Sequence, residues 1–245
     1  MYSAGVCNRY VSPDEAAAER LWRIDARNQA RIFNKVLFPK GQGLFIRRAR
    51  AEAGYSREML AGRWGLIPAF AKTADYPYST NNARSEELIE KASFKTAWQR
   101  GQRCIIPAEA FFEPNWETGR HIPWAFRRAD GDLWGLAGIW NAWTNYETGE
   151  VHESYSMLTK HANSHPLMSR MHKPEIDKVT KEPLPLERQD KRSVIPIELG
   201  DVDAWLTGTM EQATDLLRLA PVEIFDERPE VTEMSKEDGG EGRGW

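Results

Sequence analysis

The sequence lacks long apolar runs, has almost no cysteine, and carries no marked excess of either charge. Each shortage removes a class of protein. No stretch of its 245 residues approaches the ~18 apolar residues of a membrane-spanning helix, so no membrane partner is expected. The opening MYSAGVCNRY has no apolar segment of the secretory-signal type. The two cysteines, Cys7 and Cys104, stand far apart and show no metal-type spacing. A reducing cytoplasm is the simplest compartment for such a chain. The 33 basic and 36 acidic residues leave a net charge of -3, which gives no global attraction to nucleic acid. A nucleic-acid site would therefore need a local basic groove. The five histidines, His121, His152, His161, His165 and His172, lack a metal-ligand pattern, so neither metal nor cofactor is expected. No internal repeat is visible.

What is present is an ordinary globular composition, 41% hydrophobic and 28% charged, long enough to bury a core without staples. Ten tryptophans enrich it. Most suit a core, but an indole can also stack on a base, worth roughly 1–3 kcal/mol.

Ser12-Pro13-Asp14-Glu15 reads as a helix start with a capping box, and the apolar spacing predicts a helix to about Asn28. Glu86–Gln99 and Asp201–Leu219 read as two more helices. Short strands are expected at Gly43–Ile46, Arg63–Pro68, Cys104–Pro107, Ser154–Thr159 and Val222–Phe225. Trp124–Arg128 and Leu133–Trp140 flank Asp130-Gly131 and read as a hairpin. Glu147–Glu150 marks a further turn. Residues 173–192 read as a surface insertion, and the Gly-rich, charged residues 231–245 as a disordered tail. The order of elements predicts an α+β domain of antiparallel sheets with helices packed outside.

Chemistry-bearing residues are few. Cys104 sits in an apolar strand and reads as core. Cys7 lies in a polar stretch with Arg9 two residues on, a cation that would favour the thiolate. Glu113 follows Phe111-Phe112 in an apolar strand, where a carboxylic acid could serve as a general acid or simply face water at the strand end.

Five segments together resemble the SOS response-associated peptidase (SRAP) family, in the family's order, over roughly Cys7 to Phe225. They are Cys7-Asn8-Arg9-Tyr10, Arg63-Trp64-Gly65-Leu66-Ile67-Pro68, Asn82-Ala83-Arg84-Ser85-Glu86, Arg103-Cys104-Ile105-Ile106-Pro107 and Phe111-Phe112-Glu113. The resemblance implies a single SRAP-type domain over residues 7–230 with a barrel-like core. It implies a sensor of abasic sites in single-stranded DNA, active in the DNA-damage (SOS) response, with peptidase and abasic-site lyase activities, working as a monomer. Cys7 would be the nucleophile, and Asn82 and Glu113 would position and protonate the sugar. Aligning Pro166-Leu167 places His172 at the family's catalytic histidine, with His165 as competitor. Arg9 and Arg84 would hold DNA. Trp64 and Gly65 would line the DNA wedge. Pro39 would stand for the proline of an Asn-x-Ala-Pro loop, although Asn34 and Pro39 are further apart than in the family pattern.

The implied chemistry needs an amine and a thiol on one residue. The amine attacks the sugar aldehyde to give an imine, and the thiol closes a thiazolidine ring on the same carbon. An internal cysteine offers only an amide nitrogen. Residues 1–6 precede Cys7. Two routes would expose it: removal of that leader, or translation from a GUG codon at Val6. A cysteine hydrolase with internal Cys7 and His172 as its base, and a non-catalytic single-strand-binding module, are the rival readings.

Overall fold

The computed structural model describes residues 7–24, 32, 34–50 and 56–230. Strands dominate: β1 (Tyr10–Val11), β2 (Val36–Leu37), β3 (Gln42–Arg48), β4 (Arg57–Trp64), β5 (Asn82–Arg84), β6 (Arg103–Ala108), β7 (Ala110–Asn115), β8 (Ile122–Arg128), β9 (Trp134–Thr144), β10 (Val151–His161), β11 (Arg192–Val194) and β12 (Phe225–Pro229). Among the described residues four short helices join them: α1 (Glu15–Trp22), α2 (Ala92–Gln99), α3 (Val202–Thr207) and α4 (Met210–Asp215). The fold is mixed α+β, as the element order predicts.

Five strands close a barrel. β9 pairs with β10, β10 with β4, β4 with β3, β3 with β6, and β6 returns to β9. Only β10–β4 in that ring is parallel. β5 lies parallel to β10 beyond the end of β4, pairing Asn82 with Met157. A second, antiparallel sheet runs β12-β8-β7-β1-β2. Strands β6 and β9 are near-continuous apolar runs because both their faces are covered. Alternate residues divide between two cores. Phe45, Ile106, Leu136 and Tyr155 pack toward Phe111 and Phe126 of the second sheet. Ile46, Ile105, Ala137 and Leu158 pack in a cluster with α1 to α3 through Trp22, Trp98 and Trp205. Two buried tyrosine hydroxyls, Tyr10 and Tyr155, bond to each other inside the first core. Gly43 makes room for them, since a Cβ there would lie 2.2 Å from Tyr155 Oη.

Several local expectations differ. Asp14, not Ser12, is the N-cap of α1, and no side chain caps the helix. The Asp14 carboxylate is drawn instead to Lys35, 2.7 Å away. The remainder of that expected helix, 25–28, lies outside the described residues, as does the expected tail at 231–245. The helix expected from Glu86 begins only at Ala92. Glu86 is tethered across the chain by the His161 N–H and by Arg192, which holds Ser85–Glu87 in a separate 3-10 turn. The helix expected over 201–219 breaks at Gly208, and a capping box at Thr209 and Gln212 starts α4. β4 stops at Trp64 because Gly65 takes φ +143°, so Gly65–Pro68 is loop. The Asp130-Gly131 turn is present, but its flanking strands do not form a hairpin. β8 pairs with β7 and β12, whereas β9 enters the barrel. The turn is a corner between two sheets, and the Trp134 indole N–H donates to the Phe126 carbonyl across it. The last strand begins at Phe225 rather than Val222. The 173–192 segment is mostly exposed, but its end turns inward and buries Gln189, Lys191 and Arg192.

Candidate active site

Four residues from distant parts of the sequence meet where the second sheet faces β5. Cys7 precedes β1, whose partner β7 carries Glu113. Both Glu113 oxygens lie 3.1 Å from the Cys7 backbone nitrogen, which donates to them. Asn82, the first residue of β5, donates from Nδ2 to the Cys7 carbonyl at 3.1 Å. His172 Nε2 lies 2.8 Å from Glu113 Oε2. The carboxylate is thus bracketed by the cysteine nitrogen and an imidazole, and it is almost completely buried.

Unusual backbone holds both ends of this arrangement. Cys7 has φ +37° and His172 φ +63°, in the left-handed region that side-chain-bearing residues avoid. The His172 N–H donates to the Pro114 carbonyl, next to Glu113, at 2.7 Å. Lys191 reaches in from the other side. Its buried Nζ donates to the Met171 and His172 carbonyls at 2.7 and 2.8 Å. Burial pushes the Lys191 pKa below the usual lysine value. His172 Nδ1 is buried and has no partner among the described residues.

The thiol is not activated as a cation at Arg9 would have made it. Burial, and then the nearby Glu113 charge, push the Cys7 pKa well above the ordinary thiol value. The Arg9 guanidinium is engaged elsewhere, in an ion pair with Glu230 and 3.6 Å above the Phe112 ring. The sulfur donates weakly to the Arg9 carbonyl at 3.6 Å. A protonated thiol beside a carboxylate-bound nitrogen suits nitrogen-first chemistry better than thiolate attack.

The histidines separate by role. His165 is buried away from this cluster. Its Nε2 faces the Ala220 carbonyl at 2.8 Å, and its Nδ1 accepts from the Leu167 and Met168 N–H groups at 3.2 and 3.0 Å. Both ring nitrogens are committed to backbone, so His165 acts as a structural pin and His172 is the histidine in the cluster.

The remaining candidate residues surround the cluster unequally. Arg84, next but one to Asn82, is partly exposed and bonds Glu87 and Asp190. Trp64 has no exposed surface. Its indole donates to the Asn81 carbonyl at 2.9 Å, so it supports the Asn81-Asn82 backbone and offers no ring face for a base to stack on. Gly65 is likewise buried, its N–H bonded to the Tyr155 carbonyl. Pro39 lies exposed at the turn between β2 and β3, beside Lys40, whose N–H bonds the Trp64 carbonyl. Exposed rings that the sequence reading passed over lie in the loop leading to Asn82. Phe70, Tyr76 and Tyr78 form a chain of ring contacts, with Phe70 56% and Tyr78 69% exposed. Lys191 was also passed over. A lysine inside a charged, exposed segment gives no sign that it will be buried. Among the described residues no group of three His, Cys, Asp or Glu side chains is placed to hold a metal ion.

The described fold and the site it assembles define the class, and sequence comparison agrees. Residues 6–237 match the model of the SOS response associated peptidase (SRAP) family, and the chain belongs to that family. Its similarity to curated relatives is regional. It is 35% identical over 99 residues to the abasic site processing protein YoqW of Bacillus subtilis, covering 40% of this chain and 44% of that one. It is 29% identical over 137 residues to the abasic site processing protein HMCES of Xenopus tropicalis, covering 47% and 41%. The chain thus matches less than half the length of these curated relatives. A crystal structure from Bordetella bronchiseptica superimposes with a TM-score of 0.76 at 31% identity, covering 91% of this chain and 99% of that one. Another, from Bacteroides thetaiotaomicron, shares the fold at 21% identity and a TM-score of 0.64, with 91% of each chain covered. No helix among the described residues is long and apolar enough to cross a membrane.

Proposed function

We propose that this protein processes abasic sites by capturing their aldehyde covalently, in single-stranded DNA, through the amine and thiol of Cys7. The observation that supports this most directly is the Glu113 carboxylate held 3.1 Å by both oxygens from the Cys7 nitrogen, with His172 on its other side. That nitrogen is where the reaction starts. When residue 7 bears the chain terminus, its nitrogen is an α-amine, a group whose reference pKa near ~7.7–8 leaves a neutral, nucleophilic fraction at physiological pH. It adds to the C1′ aldehyde and one water leaves, giving an imine. The protonated Cys7 thiol then adds across the C=N bond. Sulfur bonds to C1′, the nitrogen keeps a proton, and a five-membered ring closes.

In this reading Glu113 takes the proton the amine releases and returns it to the ring oxygen as the sugar opens. His172 can pass that proton onward. Asn82 fixes the Cys7 carbonyl and so the direction of the nitrogen. Arg9 and Arg84 would exchange their carboxylate partners for phosphates, and the Phe70, Tyr76 and Tyr78 rings could take unpaired bases. The finer roles fit this scheme: service in the SOS response, release of residues 1–6 as a peptidase, and strand cleavage as a lyase. Initiation at Val6 would supply the terminal cysteine equally well. N-terminal mass analysis of protein from its own host tests whether Cys7 is terminal, and an intact Met1 there would rule out the Val6 start.

The test is a denaturing gel. Chain beginning at Cys7, mixed with an abasic single-stranded oligonucleotide, should give a slower-migrating conjugate. Cys7→Ala should give none. Hydrolysis of a peptide or ester by the full chain without any conjugate would instead favour the cysteine-hydrolase reading.

A further inference from the structure

A basic cleft lies apart from the cysteine cluster, at the end of the barrel where α2, β3, β9 and α3 meet. It has a volume of about 840 Å³ and is lined by Arg48, Arg50, Arg100, Arg103, Gln102 and Trp140, among others, with no aspartate or glutamate among the described residues of its wall. Arg48, Arg50 and Arg100 are exposed and form no ion pair among the described residues. Arg103 is buried. It donates to the Trp205 and Gly208 carbonyls at the end of α3 and touches no carboxylate among the described residues. Contrast Arg47, one residue before Arg48, which is compensated by both Glu58 and Glu153. A buried guanidinium without a counter-ion is costly, and three further cations around it add repulsion. Burial lowers the Arg103 pKa below the usual arginine value, in keeping with a charge that lacks a partner. Gln102 adds a polar feature. Its Nε2 is spent on the Trp140 carbonyl and Asn141 Oδ1, which leaves Oε1 as a buried acceptor without a partner.

We infer that this cleft binds a nucleoside phosphate unit, with its arginines on the phosphate oxygens and Gln102 accepting from a base N–H or sugar hydroxyl. Arginine forks match phosphate geometry, and a dianion would supply the compensation that Arg103 lacks. No residue of this cleft belongs to the Cys7, Asn82, Glu113 and His172 cluster, so the site stands or falls independently of the covalent chemistry. Its ligand could be a free nucleotide or part of a DNA strand extending beyond the reacting sugar, and the experiment separates the two.

The measurement is calorimetric titration of the full chain with dTTP and with an undamaged dT20 oligonucleotide, neither of which offers an aldehyde. The wild type is compared with Arg48→Ala/Arg50→Ala/Arg100→Ala and with the single charge reversal Arg100→Glu, which alters only one exposed helix end. Melting temperatures confirm folding. Affinity should fall at least tenfold in the triple variant and fall also in Arg100→Glu. A loss confined to dTTP identifies a free-nucleotide site. A loss for dT20 identifies a strand-binding site, and the slope of log affinity against log salt should then drop by roughly 2, about 0.7 for each of three phosphates. Equal affinities of wild type and both variants for both probes would overturn the inference.

Discussion

Replacing Lys191 by methionine tests how the site is held. The lysine Nζ is the donor to two buried carbonyls, those of Met171 and His172. Methionine keeps most of the stem and removes the donor. Each carbonyl left without it costs about 1–3 kcal/mol. Against this, the ammonium no longer has to be buried, which returns a few kcal/mol. The net effect should be a loss of about 1–3 kcal/mol, a fall in Tm of about 3–10 °C for a chain of this size. The kinetic effect should exceed what stability explains. His172 sits at φ +63°, a conformation its own side chain disfavours, and the two Lys191 bonds help to fix it there. Released, the backbone would relax and carry Nε2 away from Glu113, and a displacement of ~1 Å costs up to about 100-fold in rate. The assay is the single-turnover rate of conjugate formation at a temperature where circular dichroism shows the variant fully folded. Lys191→Arg, which retains donors, should recover part of the rate. A variant that melts earlier but reacts at the wild-type rate would refute the clamp.

Other outcomes follow from the same geometry. Alkaline pH should destabilise the fold steeply. Cys7, Cys104, Tyr10 and Tyr155 all have thiol or phenol pKa values raised by burial, so the native state holds protons that the unfolded chain releases. Their contribution is intact below the unfolded values and is lost as pH rises above them. The two cysteines alone should approach about 2.7 kcal/mol per pH unit once past ~9, with Lys191 opposing by at most half of that. Urea melts from pH 7 to 10.5 measure it, and a flat profile would show that these groups titrate normally. Glu113→Gln should slow conjugate formation by about 10²–10⁴-fold, the usual range for a lost acid-base group, while Asn82→Ala slows it less. Unchanged rates in both would remove these assignments. His165→Ala should lower Tm without changing the rate of the folded protein, since both its nitrogens serve backbone groups. Removing Arg9 and Arg84 together should reduce the salt slope of single-strand binding by roughly 1.4, which binding titrations at several salt concentrations will show.

Local physics made much of this molecule readable in advance, and its failures have identifiable causes. Strands β6 and β9 are dense in apolar residues and β9 follows a strong turn, so their existence was legible. The pairing was not. The Asp130-Gly131 turn gives the same local signal whether its arms pair with each other or part into two sheets. Helix ends were misread where a side chain had a better offer from far away, as with Asp14 and Lys35 or Glu86 and Arg192. The motif segments led to Cys7, Asn82 and Glu113 individually. That Asn82 and Glu113 converge on the nitrogen and carbonyl of one residue follows from the pairing of β5 with β10 and of β7 with β1, which no local pattern encodes. The choice between His165 and His172 likewise needed three dimensions. Trp64, expected to line the DNA wedge, is fully buried and bonds the Asn81 carbonyl, a detail of burial that its motif does not carry.

The account rests most heavily on the Cys7 nitrogen. Two preparations should be compared by intact mass after heating with an abasic oligonucleotide: chain starting at Cys7, and the same chain with that amine acetylated. The first should gain the oligonucleotide mass less one water and survive heat without a reducing agent. The second should gain nothing that survives. A heat-stable adduct on the acetylated chain, or none on the free one, would contradict the proposal.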